Sequence, residues 1–211
     1  MTLRKKYPRT YHLPWSEGIT SDDKVLKNLD MFKGKEVVVT EKLDGENTTI
    51  YSNYFHARSI DGNKHPSQSM LKNIIINWQY LLPCELRVCG ENLYAKHSIE
   101  YSELDAYFLA FSIWEGDTCL NWDNTLNILK TLDIPHVPVL YRGIFNETLI
   151  KQLFTGTSTQ GGEQEGYVVR LVNSFNYDDF ASSVAKFVRK NHVQTDKNWR
   201  FSEIIPNQLK R

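Results

Sequence analysis

The stretch Val37-Val38-Val39-Thr40-Glu41-Lys42-Leu43-Asp44-Gly45-Glu46-Asn47 constrains this chain more than any other. Its β-branched run favours an extended, covered strand. That strand delivers a lysine into a short polar turn. A lysine has a reference pKa near ~10.4, and an ammonium has no lone pair with which to attack. A lysine held at the end of a buried strand, near other cations, can lose its proton and become a nucleophile. Gly45 is expected to let the backbone turn tightly and approach a ligand closely. Asp44 is suited to accept hydrogen bonds from a ribose or to hold a metal's water shell. Lys-x-Asp-Gly also serves as an ordinary turn after a strand, and chance supplies it in roughly one chain in twenty of this length. Other parts of the sequence have to decide between the two.

Five further segments follow in order. They are Phe55-His56-Ala57-Arg58-Ser59, Arg87-Val88-Cys89-Gly90-Glu91-Asn92, Tyr107-Phe108-Leu109-Ala110-Phe111-Ser112-Ile113-Trp114, Glu165-Gly166-Tyr167-Val168-Val169-Arg170 and Val184-Ala185-Lys186-Phe187-Val188-Arg189-Lys190. With the lysine turn, the set resembles motifs I, Ia, III, IIIa, IV and V of the covalent nucleotidyltransferases. That superfamily holds ATP-dependent DNA and RNA ligases and mRNA capping enzymes. Asn47 and the run Gly90-Glu91-Asn92-Leu93-Tyr94-Ala95-Lys96-His97-Ser98 are most similar to RNA ligases of the type-2 family. The resemblance spans residues 36–195. It implies an α+β fold in which two antiparallel sheets, flanked by helices, hold a nucleotide between them.

The resemblance also implies a division of labour. Lys42 would attack the α-phosphate of ATP, release pyrophosphate and carry AMP on its Nζ. The AMP would pass to the 5′-phosphate of an RNA end, and a 3′-hydroxyl would then attack that activated phosphate. Lys186 matches the motif V cation at the α-phosphate. Val188 stands where the family usually has a second lysine; Arg189 is the favoured substitute, and Lys190 is read as a solvent-facing strand end.

Glu165 and Glu91 match the motif IV and motif III acids, with Lys42, Lys186 and Glu165 as the catalytic set. Carboxylates beside a phosphate repel it unless a cation intervenes. Asp44, Glu91 and Glu165 are therefore expected to hold a hydrated Mg²⁺ or Mn²⁺, largely through its waters. Glu91 has the ribose as its alternative partner. Glu41, Asp44, Gly45, Asn47 and Arg58 would line the nucleotide. Arg58 would touch ribose or phosphate, with a surface salt bridge as its other reading. Phe111 fits the aromatic that stacks on adenine. Phe108 competes for that place, since alternation puts 107, 109, 111 and 113 on one face and Phe108 on the other.

The chain of 211 residues is long enough for one domain with a sizeable core. A single nucleotidyltransferase domain over 1–211 is expected, with residues 1–30 as an N-terminal extension, 196–211 as a short basic tail and no separate C-terminal domain. The 25 basic and 25 acidic residues cancel, which gives no support for strong non-specific binding to nucleic acid. Seven of the last 26 residues are Lys or Arg against two acids, which reads as a solvated surface or a phosphate-contacting edge. Cys84, Cys89 and Cys119 are too few and too irregular for a disulfide framework or a zinc site, so reduced thiols in the cytoplasm are expected. No apolar stretch approaches the length of a membrane span, and no signal-peptide core is present.

Periodicity predicts helices over 21–31, 67–82, 122–132 and 146–154, the first with Ser21-Asp22-Asp23 as cap and acidic turn. Strands are predicted near 36–40, 48–52, 54–59, 86–90, 107–114, 137–142, 166–172 and 183–189. Residues 155–164 are polar and glycine-rich and read as a mobile surface loop, a phosphate cradle being the alternative. His56, His65, His97 and His192 have no metal spacing and read as surface or RNA-contacting residues.

An ATP-dependent RNA ligase is the first functional reading. A capping-type guanylyltransferase shares the lysine and the motif order, and the nucleotide that forms the adduct separates the two. A DNA ligase normally continues into a further domain after motif V. A non-catalytic nucleotide- or RNA-binding module would be supported by loss of the lysine or acids, and none is lost. The expected substrate is RNA with 5′-phosphate and 3′-hydroxyl ends in a nicked duplex, which supplies proximity that a neutral protein lacks. An accessory partner could be needed for sealing.

Overall fold

The computed structural model describes residues 4–60, 66–191 and 204–211. Among these residues, two sheets and three short α-helices make a mixed α+β domain. The first sheet is built from β1 (Tyr11–His12), β2 (Glu36–Lys42), β8 (Val139–Ile144), β9 (Gly166–Leu171) and β11 (Val184–Val188), in the order β1-β11-β9-β2-β8. The second takes β3 (Glu46–Tyr51), β4 (Tyr54–Ala57), β5 (Leu86–Asn92), β6 (Phe108–Glu115), β7 (Thr118–Cys119) and β10 (Phe175–Asn176), in the order β10-β7-β6-β5-β3-β4. All pairings are antiparallel except β1 with β11. β2 belongs to the first sheet and β3 to the second, so the turn Leu43–Gly45 is the crossing between them.

Each sheet buries one face against its own apolar cluster. Val37, Val39, Tyr167, Val169 and Phe187 pack together on the first. Ile50, Val88, Phe108 and Ile113 pack on the second, covered by α1 (Gln68–Ile75) through Leu71 and Ile75 and by α2 (Trp122–Thr131) through Leu129. Asn121 caps α2 by accepting from the Asn124 amide at 2.8 Å, and Asp123 sits favourably in its first turn. Asn146 caps α3 (Glu147–Lys151) in the same way. No helix among the described residues is long and apolar enough to cross a membrane.

Three expectations change. Residues 21–31 hold turns and no helix. Thr20 donates to the Asp23 carboxylate from its amide (3.1 Å) and from its hydroxyl (2.8 Å). His12 N donates to the Lys24 carbonyl and Leu26 N to the His12 carbonyl, so groups that a helix would use internally are spent on β1. Residues 155–164 form a docked loop with Ser158, Gln160 and Gln164 buried. Gln160 bonds the backbone at Glu103 and Asp105, and Thr159 bonds the Glu41 carboxylate. Residues 204–211 dock as well, bridging Ala95 through Pro206 and Leu104 through Leu209; the rest of the basic tail, 196–203, lies outside the described residues. Strands β1, β7 and β10, two residues each, had no local signal.

Candidate active site

Lys42 is the last residue of β2, and the register places it opposite Gly166 on β9. Glu165 immediately precedes β9, so its carboxylate meets the ammonium: both oxygens lie 2.7 Å from Lys42 Nζ. Across the sheet gap, Glu91 on β5 pairs with Asn47 on β3. The turn between the sheets is held by backbone donors. Gly45 N donates to Glu91 Oε1 at 3.2 Å, and Asp44 N donates to the Tyr101 hydroxyl at 2.9 Å. Asp44 Oδ2 accepts from the amides of Ser98 (2.7 Å) and Ile99 (2.9 Å). Gly45 is required for a reason other than a ligand's approach. A Cβ there would lie 2.6 Å from the Asn92 carbonyl oxygen and 2.9 Å from Glu91 Cγ.

A cavity of about 390 Å³ opens between the sheets, lined by Lys42, Glu91, Asn47, Arg58, Phe111 and Lys186 among others. A second cavity of about 620 Å³ shares Arg9, Asn47 and Arg58 with it and adds Lys6 and His97. Phe111 reaches the first through a register shift. Cys89 pairs with Ser112 and Gly90 with Ala110, which leaves Phe111 as the extra residue of a β-bulge. The bulge breaks simple alternation and turns Phe111 and Ser112 together toward the cavity, while Phe108 stays in the core, 1% exposed.

The electrostatics of the site correct one expectation. Lys42 is not disposed to lose its proton. Burial pulls its pKa down, but the Glu165, Glu91 and Asp44 carboxylates outweigh burial and the net movement is upward. Burial pushes Glu91 up to about 8, against Lys42 and with the help of Glu165 and Asp44. Burial raises Glu165 too, against the pull of Lys42. Lys186 moves down, first through burial and then through Lys42, with Asp23 3.8 Å away opposing.

Asp44, Glu91 and Glu165 supply hard oxygen donors of the kind that suit Mg²⁺ or Mn²⁺. Among the described residues no three ligand side chains converge closely enough to hold a bare ion. A hydrated ion held through its waters is the arrangement these acids fit. Asn47 Oδ1 is buried at the cavity without a hydrogen-bond partner, an acceptor suited to such a water.

Lys42, Asp44, Asn47, Arg58, Glu91, Phe111, Glu165 and Lys186 therefore gather about one cleft and the turn beside it. Glu41 borders the cleft, but its carboxylate is held by Thr159 on the loop behind it. Arg189 is not brought there. It lies one residue past β11 and pairs with Glu163 at 2.5 Å. His56 is buried against Tyr51 and Tyr54 and bonds the Ala57 carbonyl, so it is a core residue; burial lowers its pKa. His97 lines the second cavity, and His65 and His192 lie outside the described residues. Sequence reasoning missed Tyr7, Arg9, Thr20 and Asp23, which line the cleft from the N-terminal segment. No motif in that segment signals a site, and the helical reading of 21–31 gave Asp23 a capping role instead.

A family model described as RNA ligase matches residues 35–188. No curated protein matches the sequence. Solved structures of the Naegleria gruberi RNA ligase are similar in fold. An apo mutant gives 18% identity and a TM-score of 0.58, covering 90% of this chain and 58% of that one. A mutant with ATP and Mn gives 17% and 0.57, covering 90% and 62%. A mutant with AMP and Mn gives 18% and 0.56, covering 91% and 64%. The chain thus spans about three-fifths of the length of these structures.

Proposed function

The chain belongs to the RNA ligase family, and from that premise we propose that it is an ATP-dependent ligase of the type-2 kind, built on a nucleotidyltransferase fold. Lys42 takes AMP from ATP and passes it to the 5′-phosphate of an RNA end, to which a 3′-hydroxyl is joined. The observation that carries the reading is the convergence of Lys42, Glu165, Glu91 and Lys186 at one cleft that also holds Phe111.

Lys42 rests as an ammonium and has to give up a proton before its Nζ can bond phosphorus. Glu165, 2.7 Å away and made more basic by burial, is placed to accept it. The Nζ–P bond forms as the bond to the pyrophosphate oxygen breaks, and pyrophosphate carries away the electron pair. Lys186 supplies positive charge where negative charge grows on the α-phosphate. Phe111 offers its face to the base, a contact that tolerates either purine. A hydrated divalent ion, when bound, screens the acids from the phosphates and polarises them; Asp44, Glu91 and Glu165 are the residues to hold it. The N. gruberi structures with ATP, AMP and Mn are consistent with these co-reactants.

Incubation with each α-labelled nucleoside triphosphate and Mg²⁺ or Mn²⁺ tests the reading. A labelled adduct from ATP, mapped to Lys42, is expected. A GTP adduct would instead assign a capping-type guanylyltransferase. Joining is expected at an RNA nick with a 3′-ribose in preference to free strands, and nicked duplexes with ribose or deoxyribose at that end measure it.

A further inference from the structure

We propose that Asn207 is a positioning residue for the lysine turn, acting through the segment 93–107 to fix the Asp44 carboxylate beside Lys42. The inference rests on the ligase reading for its consequence, and on geometry alone for the linkage.

Segment 93–107 connects β5 to β6 and carries no helix or regular strand. Its backbone groups therefore need partners from elsewhere. Much of that need is met by residues 205–210. Lys96 N donates to the Ile205 carbonyl (2.8 Å), Leu104 N to Gln208 (2.9 Å), Gln208 N to Tyr101 (2.9 Å) and Lys210 N to Leu104 (2.9 Å). Asn207 is 1% exposed and stands at the centre. Its amide N donates to the Tyr94 carbonyl at 2.9 Å, and its carbonyl accepts from the Tyr107 hydroxyl at 3.2 Å. Its side chain spans the segment: Nδ2 donates to the Leu93 carbonyl (2.8 Å) and Oδ1 accepts from Tyr101 N (2.9 Å).

Leu93 and Tyr101 are the two ends of the loop that faces the turn. The Tyr101 hydroxyl accepts from Asp44 N, and the Ser98 and Ile99 amides grip Asp44 Oδ2. The same bridge holds Leu93, Ile99, Tyr101 and Leu104 in the apolar cluster that seats Leu43. One buried amide thus closes a loop whose contents set the backbone and carboxylate two residues from the nucleophile. An Ala at 207 leaves Leu93 O and Tyr101 N without those partners, and the loop is free to open.

The test uses the full chain with Asn207→Ala, Tyr101→Phe and, as a control of similar burial remote from the cleft, Leu129→Ala. Adduct formation is followed at saturating ATP, at a temperature where circular dichroism shows each variant folded. Asn207→Ala and Tyr101→Phe are expected to lower the maximal rate about tenfold to a hundredfold, as small misplacements of reacting groups do. Leu129→Ala should keep the wild-type rate. A folded Asn207→Ala protein at the wild-type rate, or an equal loss in Leu129→Ala, overturns the proposal. If Asn207→Ala does not fold, Tyr101→Phe, which keeps the ring, decides alone. If the wild type forms no adduct with any nucleotide, the ligase reading fails separately. The amide NMR resonances of Asp44, Gly45, Ser98 and Ile99 then decide the linkage: shifts in Asn207→Ala support it, and unmoved resonances overturn it.

Discussion

The ammonium of Lys42 lies 2.7 Å from both carboxylate oxygens of Glu165, although 123 residues separate them in the chain. The pair holds Lys42 in its charged form, and in the proposed reaction it would put the nucleophile beside its proton acceptor.

Lys42→Ala is expected to abolish the AMP adduct while leaving the fold intact. Glu165 loses its counter-ion in that variant but can take up a proton, since burial already raises its pKa. Intact-mass spectrometry reads the adduct and a circular dichroism melt reads the fold. An adduct persisting in Lys42→Ala would place the chemistry elsewhere.

Glu165→Gln and Lys186→Ala should each slow adduct formation about a hundredfold, roughly 3 kcal/mol in the barrier, as loss of one preorganised charge contact does. Single-turnover kinetics measures this. A near-normal rate in Glu165→Gln would remove that residue from the proton path.

Glu91 makes stability depend on pH in a defined direction. Its pKa rises from an ordinary 4.5 to about 8 in the fold, so the native state binds that proton more tightly than the unfolded chain. The stabilisation is full below about 4.5 and is lost as pH rises through about 8. Metal-free protein should therefore melt at progressively lower temperature across that window. Glu91→Gln should flatten the slope, and divalent ions should oppose it in the wild type. Calorimetry from pH 5 to 9 checks the sign.

Phe111→Ala and Phe108→Ala should separate function from folding. The first removes a cavity wall and is expected to raise the KM for ATP by about tenfold, with stacking contacts typically contributing roughly 1–3 kcal/mol. The second empties a core position and should cost about 3–5 kcal/mol of stability. Urea melts beside ATP titrations distinguish them; a reversal would show that Phe108 meets the base.

Gly45→Ala is expected to destabilise the crossing between the sheets by about 1–3 kcal/mol, the usual cost of overpacking. The clash is with the Asn92 backbone and the Glu91 side chain, so adduct formation should fall with it. A stable, fully active variant would mean that the turn has room the structure does not show.

Much of this site is legible along the chain. The valine run, the lysine turn and the motif order place Lys42, Glu91 and Glu165 at or beside strand ends and Lys186 within a strand, and the helical spacing of Leu71, Ile75 and Trp122, Leu129 gives α1 and α2. The choice of Phe111 over Phe108 was harder to fix, because the bulge at Phe111 breaks the alternation of β6. The N-terminal segment gave a helical signal over 21–31 that tertiary hydrogen bonds override, and the 155–164 loop and residues 204–211 gave none. Their conformations are set by hydrogen bonds to groups distant in the chain, such as Thr159 to the Glu41 carboxylate and Asn207 to the Leu93 carbonyl.

By itself the sequence determined where the strands and their reactive side chains stand, because propensity and periodicity act between near neighbours. Only the tertiary structure decided what state those groups are in. Lys42 stays charged because three carboxylates from three segments surround it, Arg189 turns to Glu163 rather than the cleft, and Asp44 is aimed by a loop that Asn207 closes. Charge state and side-chain aim follow from Coulomb and hydrogen-bond sums over atoms close in space, and those sums do not exist until the two sheets meet.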